Sequence, residues 1–191
     1  MGVNPTDVHH LIISHFHADH IGGLADFPNA QYIFFEEAVK SVQGKQGWGA
    51  VKLAFLPDHL PSDFEQRSTA IEAAQMQPLP SNYAPFEWGV DLFGDGSLLG
   101  VNLPGHAYGQ MGVFLQTDNL GPVFLCADAC WHSKAYRELV FPHPVVNLLL
   151  PDATAYRQTL TNVHQLHQNR PNLQIIPSHC PETISKLSIR N

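Results

Sequence analysis

Four residues able to ligate a metal fall within six positions, His15-Phe16-His17-Ala18-Asp19-His20, directly after the apolar run Leu11-Ile12-Ile13. Alternate side chains of an extended chain share a face, so His15 and His17 point to the same side. The pair Gly22-Gly23 implies a turn that brings Asp19 and His20 in from another direction. One strand end can therefore offer two imidazoles to one ion, and a carboxylate with an imidazole to a second ion nearby. Such donors suit zinc first, with iron or manganese as alternatives. A solvated histidine-rich loop would account for the 12 histidines of the chain. It would not account for an aspartate in register with them or for the glycines behind.

The stretch Ser14-His15-Phe16-His17-Ala18-Asp19-His20-Ile21-Gly22-Gly23-Leu24 resembles the HxHxDH signature of the metallo-β-lactamase superfamily. The resemblance implies three further ligands downstream. His106 stands in Pro104-Gly105-His106-Ala107-Tyr108-Gly109, similar to the family's PGH-x-x-G turn. Asp128 follows the apolar run Val123-Phe124-Leu125-Cys126, and His179 follows Gln174-Ile175-Ile176-Pro177-Ser178. By the family's pattern His15, His17 and His106 hold one divalent ion, Asp19, His20 and His179 hold a second, and Asp128 bridges them. The activity implied is hydrolysis of an ester, lactone or thioester by a hydroxide formed between the two ions.

The run Phe27-Pro28-Asn29-Ala30 and the Pro-Gly-His turn are similar to the N-acyl homoserine lactonase-like branch. That branch commonly carries a tyrosine three residues after the bridging aspartate. Trp131 stands there instead, and an indole donates one hydrogen bond but is no acid. Tyr108 is the substitute donor, so Asp19, Tyr108 and Trp131 are the side chains expected at the reacting atoms. By the same analogy Trp48, Leu53, Phe55 and Trp131 supply apolar contacts near the site. The alternative of a different class is an inactive or truncated metal-binding domain. A hydroxyacylglutathione hydrolase, with its helical extension after the last ligand, ranks lower, as does a nucleic-acid phosphodiesterase.

Those ligands need a scaffold, and 191 residues with 44% hydrophobic and 14% charged content are enough for one globular domain. A net charge of −7 with ten Lys plus Arg disfavours nucleic acid and leaves a small-molecule substrate. No apolar run approaches the ~20 residues of a membrane span, so no membrane association is expected. Cys126, Cys130 and Cys180 follow no disulfide or zinc spacing, which fits a reduced, cytoplasmic setting. Cys180 adjoins His179 and reads as a buried inert thiol.

The resemblance implies an α/β fold (α+β by some schemes), the αβ/βα sandwich, as a single domain over 1–191. Only fourteen residues precede His15, where the family places several strands. The expectation is thus an N-terminally shortened domain that associates as a homo-oligomer through its exposed sheet edge. Strands are predicted over 8–13, 31–35, 90–93, 98–103, 111–116, 122–126 and 173–177, with hairpin turns at Gly94-Asp95-Gly96 and Asp118-Asn119. Helices are predicted to follow the second strand to Val42, and over 48–56, from Asp152 through His167, and over 182–187. The capping box Ser62-Asp63-Phe64-Glu65 predicts one more helix, ending near Met76 before Pro78. His167 belongs to the apolar stripe of the long helix and reads as structural.

Overall fold

The computed structural model describes residues 2–189, with side chains described up to residue 185. The chain divides into two compact units, Met1–Ala74 with Ala107–Gly109, and Gln75–His106 with Gln110–Asn191. Both combine strands and helices, giving the mixed α/β class expected.

In the first unit, β1 (His10–Ile12), β2 (Gln31–Phe35) and β3 (Ser68–Ile71) form a parallel sheet in that order. Strand β2 is aromatic and β-branched, and its last four residues are buried, as suits a strand covered on both faces. It leads directly into α2 (Glu36–Val42), whose first-turn Glu36 and Glu37 favour the helix dipole. Two short helices, α1 (Ala18–Ile21) and α3 (Gly47–Val51), complete the unit. Its core is an aromatic cluster: Phe16 meets Phe34 edge-on at 5.1 Å, and Phe64 stacks on Tyr32 at 5.2 Å and on Phe34 at 5.6 Å.

Two sequence expectations fail here. The helix predicted from the Ser62–Glu65 capping box is absent. A 3-10 turn at Glu65–Arg67 leads instead into β3, paired with β2 from Tyr32↔Ser68 to Phe35↔Ile71. A cap contributes about 1 kcal/mol, less than a strand ladder that also buries Ile71. Arg67 fixes the turn by donating to the carbonyls of Phe27 and Ala30, both at 2.9 Å, and to Asp63 at 2.8 Å. The helix predicted over 48–56 shrinks to α3, because Ala54 at φ 50° leaves the helical region.

The second unit is a six-stranded sheet in sequence order: β4 (Gln77–Pro78), β5 (Trp88–Asp91), β6 (Leu98–Asn102), β7 (Met111–Thr117), β8 (Gly121–Ala127) and β9 (Gln174–Pro177). Pairing is antiparallel as far as β8, and β8 and β9 are parallel. Parallel neighbours need a crossover, supplied by α4 (Ser133–Glu138) and α5 (Ala153–Asn169). Asp152 caps α5 by accepting from the Ala155 N–H at 2.8 Å. The α5 residues Tyr156, Leu160, Val163 and Leu166 are buried at helical spacing with Phe114 and Phe124, whose rings stack at 4.1 Å. The final helix α6 (Pro181–Ile189) follows β9. No helix among the described residues is long and apolar enough to cross a membrane.

Candidate functional site

The motif residues of the first unit lie just past β1. The Ile13 N–H still bonds to the Ile33 carbonyl at 2.9 Å, and the chain then leaves the sheet. His17 is the N-cap of α1, and Asp19 and His20 sit on that single turn. The turn ends at Gly22, so the glycine-marked change of direction occurs where expected. Three imidazoles crowd together: the His15 ring centroid is 4.5 Å from that of His17 and 4.1 Å from that of His20. Asp19 Oδ2 lies 3.7 Å from His20 Nε2. His15 is buried, His17 and His20 are half-buried, and Asp19 is exposed. Imidazoles beside a carboxylate are a donor set for a divalent cation.

Two positioning contacts in this unit escaped the sequence reading. Ser14 Oγ lies 3.1 Å from Nδ1 of His15 and 3.4 Å from Nδ1 of His20. His59 Nδ1 lies 3.1 Å from the Ala18 carbonyl oxygen. The serine directly before the motif was the one available signal.

In the second unit the strand ends do the positioning. The β8–β9 register shifts between Leu125 and Ala127, and Ala127 takes φ 47°, an irregularity that re-aims the next side chain. Ala127 pairs with Pro177, and its carbonyl accepts from the Ser178 N–H at 3.1 Å. Asp128 and His179 therefore leave neighbouring, hydrogen-bonded strand ends. His106 is held by its turn. Gly105 has φ 121°, and a Cβ there would run into the Tyr156 backbone at the start of α5. Thr159 donates to the Pro104 carbonyl at 2.7 Å, and Gln110 closes the base of the turn on the Leu103 carbonyl at 3.1 Å.

As a result, Asp128 Oδ2 stands 3.3 Å from His106 Nε2 and 3.4 Å from His179 Nε2. Two donors each about 2.1 Å from one ion at a tetrahedral angle stand about 3.4 Å apart. The residues present thus fit a divalent ion in donor type and in spacing. Asp128 is 3% exposed, which makes an ionised carboxylate costly there without a cation or donors beside it.

Trp131 meets His106 edge-on at 5.9 Å with its indole partly exposed. Tyr108 is exposed and belongs to the first unit. Of the apolar residues expected nearby, Phe55 is buried in the first unit's core and Leu53 packs against it, whereas Trp48 is 81% exposed. His167 is structural, edge-on to Tyr136 at 5.2 Å. Burial holds its pKa below the usual histidine value, with His164 and Arg137 adding to the effect. All three cysteines are buried and free. Burial alone would raise the Cys180 pKa, but hydrogen bonds from Ser133 and Thr183 outweigh it and bring the thiol to about 7.

A family model described as the metallo-beta-lactamase superfamily matches residues 1–161. The N-acyl homoserine lactonase AttM of Azorhizobium caulinodans is 26% identical over 190 residues, 95% of this chain and 62% of that protein. A probable metallo-hydrolase of Mycobacterium tuberculosis is 28% identical over 190 residues, covering 95% and 58%. AttM of Agrobacterium fabrum is 28% identical over 148 residues, covering 74% and 49%. The chain spans between about half and just under two thirds of these relatives' lengths. A solved N-acyl homoserine lactone hydrolase, with N-hexanoyl-L-homoserine at its catalytic metal centre, matches with a TM-score of 0.65 at 20% identity, covering 97% of this chain and 61% of that one. The dizinc lactonase AidC matches with a TM-score of 0.62 at 18% identity, covering 94% and 60%. Both likenesses are of fold.

Proposed function

Because the chain belongs to the metallo-β-lactamase superfamily, we propose that it is a metal-dependent hydrolase of a small neutral lactone, ester or thioester. The observation that carries this reading is the convergence of His106 and His179 on one oxygen of buried Asp128, at the spacing of ligands on a shared ion. The family pattern assigns His15, His17 and His106 to one ion, Asp19, His20 and His179 to another, and Asp128 to both. Zinc suits this donor set, with iron or manganese as alternatives. Such a pair of ions supplies a water acidified toward neutrality and a Lewis acid for the substrate carbonyl.

The chain's own residues then have separate tasks. Ser14, turned to Nδ1 of both His15 and His20, sets Nε2 as the nitrogen that each offers to metal. The Asp19 carboxylate is 59% exposed, open enough to take a proton from the attacking water and pass it to the leaving oxygen. The Trp131 indole N–H and the Tyr108 hydroxyl are the candidate donors to substrate oxygen. A lactone is the favoured class because one of the relatives matched over 95% of this chain is an N-acyl homoserine lactonase, another being a probable metallo-hydrolase. A homo-oligomer remains the proposed assembly, to be read by light scattering.

Metal analysis after reconstitution with zinc or manganese, coupled to a turnover panel, tests the reading. Two ions per chain are expected for the wild type and fewer than one for Asp128→Ala. Lactones and aryl esters should turn over faster than phosphodiesters or RNA. A wild-type stoichiometry near zero, or faster phosphodiester cleavage, rejects it.

A further inference from the structure

We infer that His59 is a positioning residue for the metal ligands of the first unit, acting through the main chain of Ala18; the inference rests on the metal-binding reading above. The ligands concerned ride on an element that cannot hold itself. Helix α1 is four residues long, a single turn, and an isolated turn is unstable because nucleation fixes several residues for one hydrogen bond. Its N-cap, His17, makes no side-chain capping bond.

The segment after α3 braces the turn. Ala18 lies between His17 and Asp19, and both of its backbone groups are engaged by that segment. The Ala18 N–H donates to the Ala54 carbonyl at 2.7 Å, and its carbonyl lies 3.1 Å from His59 Nδ1. A carbonyl only accepts, so Nδ1 carries the proton and the tautomer of His59 is set. The clamp is itself braced. Phe55, 3% exposed, anchors the segment in the core, and His59 sits on a 3-10 turn (Pro57–His59) closed by the Leu60 N–H on the Pro57 carbonyl at 3.0 Å.

Gly22 fits the same account. A Cβ at that position would lie 3.1 Å from the Ala18 oxygen and 3.4 Å from His59 Nδ1, crowding the bond from both ends. The first glycine of the motif thus makes room for His59 as well as ending α1. A shift of the Ala18 peptide would move His17, Asp19 and His20 together. Loss of the His59 bond should therefore appear as weakened metal binding, not only as lowered stability.

Cobalt(II) serves as the probe, with affinity read by competition against a chelator and geometry read from the visible absorption of the loaded full-length chain. His59→Ala should weaken cobalt binding about 10-fold, as loss of a group that orients ligands commonly does, and change the shape of the absorption band. His59→Asn places an amide N–H where Nδ1 stood and should restore wild-type affinity, whereas His59→Gln places it too far out and should not. Val42→Ala, a cavity in the same unit's core, should lower the Tm and leave cobalt affinity unchanged. Unchanged affinity and spectrum in His59→Ala would overturn the inference. So would an Asn variant as impaired as Ala, or a loss in Val42→Ala matching that in His59→Ala. A wild type that binds no cobalt would instead bring down the metal reading, and the inference with it.

Discussion

The two units fix their candidate ligands by opposite means. In the second, Asp128 and His179 leave paired strand ends, and His106 sits in a turn pressed against a helix start, so main-chain packing sets the geometry. In the first, the candidate ligands lie beyond the sheet, on one helical turn and the residues leading into it, and single side chains bonded to backbone carbonyls hold the surroundings: His59 on Ala18, Arg67 on Phe27 and Ala30. A ladder spreads its load over many bonds and tolerates side-chain truncation but not a backbone collision. A side-chain clamp concentrates its load in one residue. The two units should therefore fail to different substitutions.

The largest effect should come from crowding the second unit. Gly105→Ala combines a positive φ with collision against the Tyr156 backbone and should cost about 3–5 kcal/mol in urea unfolding. Gly44→Ala in the first unit, at φ 69° with nothing within 4 Å of the added Cβ, should cost only about 1 kcal/mol. Equal losses would break the contrast.

Truncating the clamp of the first unit comes next. Arg67→Ala leaves the carbonyls of Phe27 and Ala30 without their donor and removes the guanidinium 4.6 Å above the Tyr32 ring, for about 2–3 kcal/mol. Arg67→Lys should recover only part of this, because the two-pronged geometry is lost. A loss below about 0.5 kcal/mol, the size of an ordinary surface change, would show that the turn before β3 needs no such anchor.

The smallest effect is a pH dependence in the second unit. His167 has a folded pKa held below the ordinary value, chiefly by burial, so the unfolded chain binds the proton more readily. Its contribution is present above about pH 6.5 and is lost as pH falls through the lower folded value. Urea midpoints should fall on acidification across that window, and less steeply in His167→Gln. Identical slopes would remove His167 from the account.

Where local signal and tertiary demand agree, the sequence is legible. The apolar strands β6 to β8, the Gly94-Asp95-Gly96 turn and the Asp152-capped α5 lie within a few residues of their expected places. The candidate ligands stand out in sequence because coordination needs particular side chains at particular spacings, and the structure groups His15, His17 and His20 in one unit and His106, Asp128 and His179 in the other. The 62–76 segment was misread because the pairing of β3 with β2 overrides the local capping-box pattern. Helix α4 was missed because its cap is His132, accepting from the Lys134 N–H at 3.0 Å, outside the usual Ser, Thr, Asp or Asn. His59 was illegible for a different reason: its partner is a carbonyl, which every residue offers alike.

The parallel pairing of β8 with β9 bears on how this scaffold can change over time. Asp128 and His179 are brought together by the Ala127↔Pro177 pairing, so their separation is independent of the path the chain takes between them. Part of that path, around Pro144–Leu148, is already loosely committed, with Leu148 85% and Leu149 80% exposed. Added length in such a connection costs closure entropy that grows only logarithmically. The segment is therefore a place where insertions could be grafted and new specificities tried while the geometry of Asp128 and His179 is inherited intact.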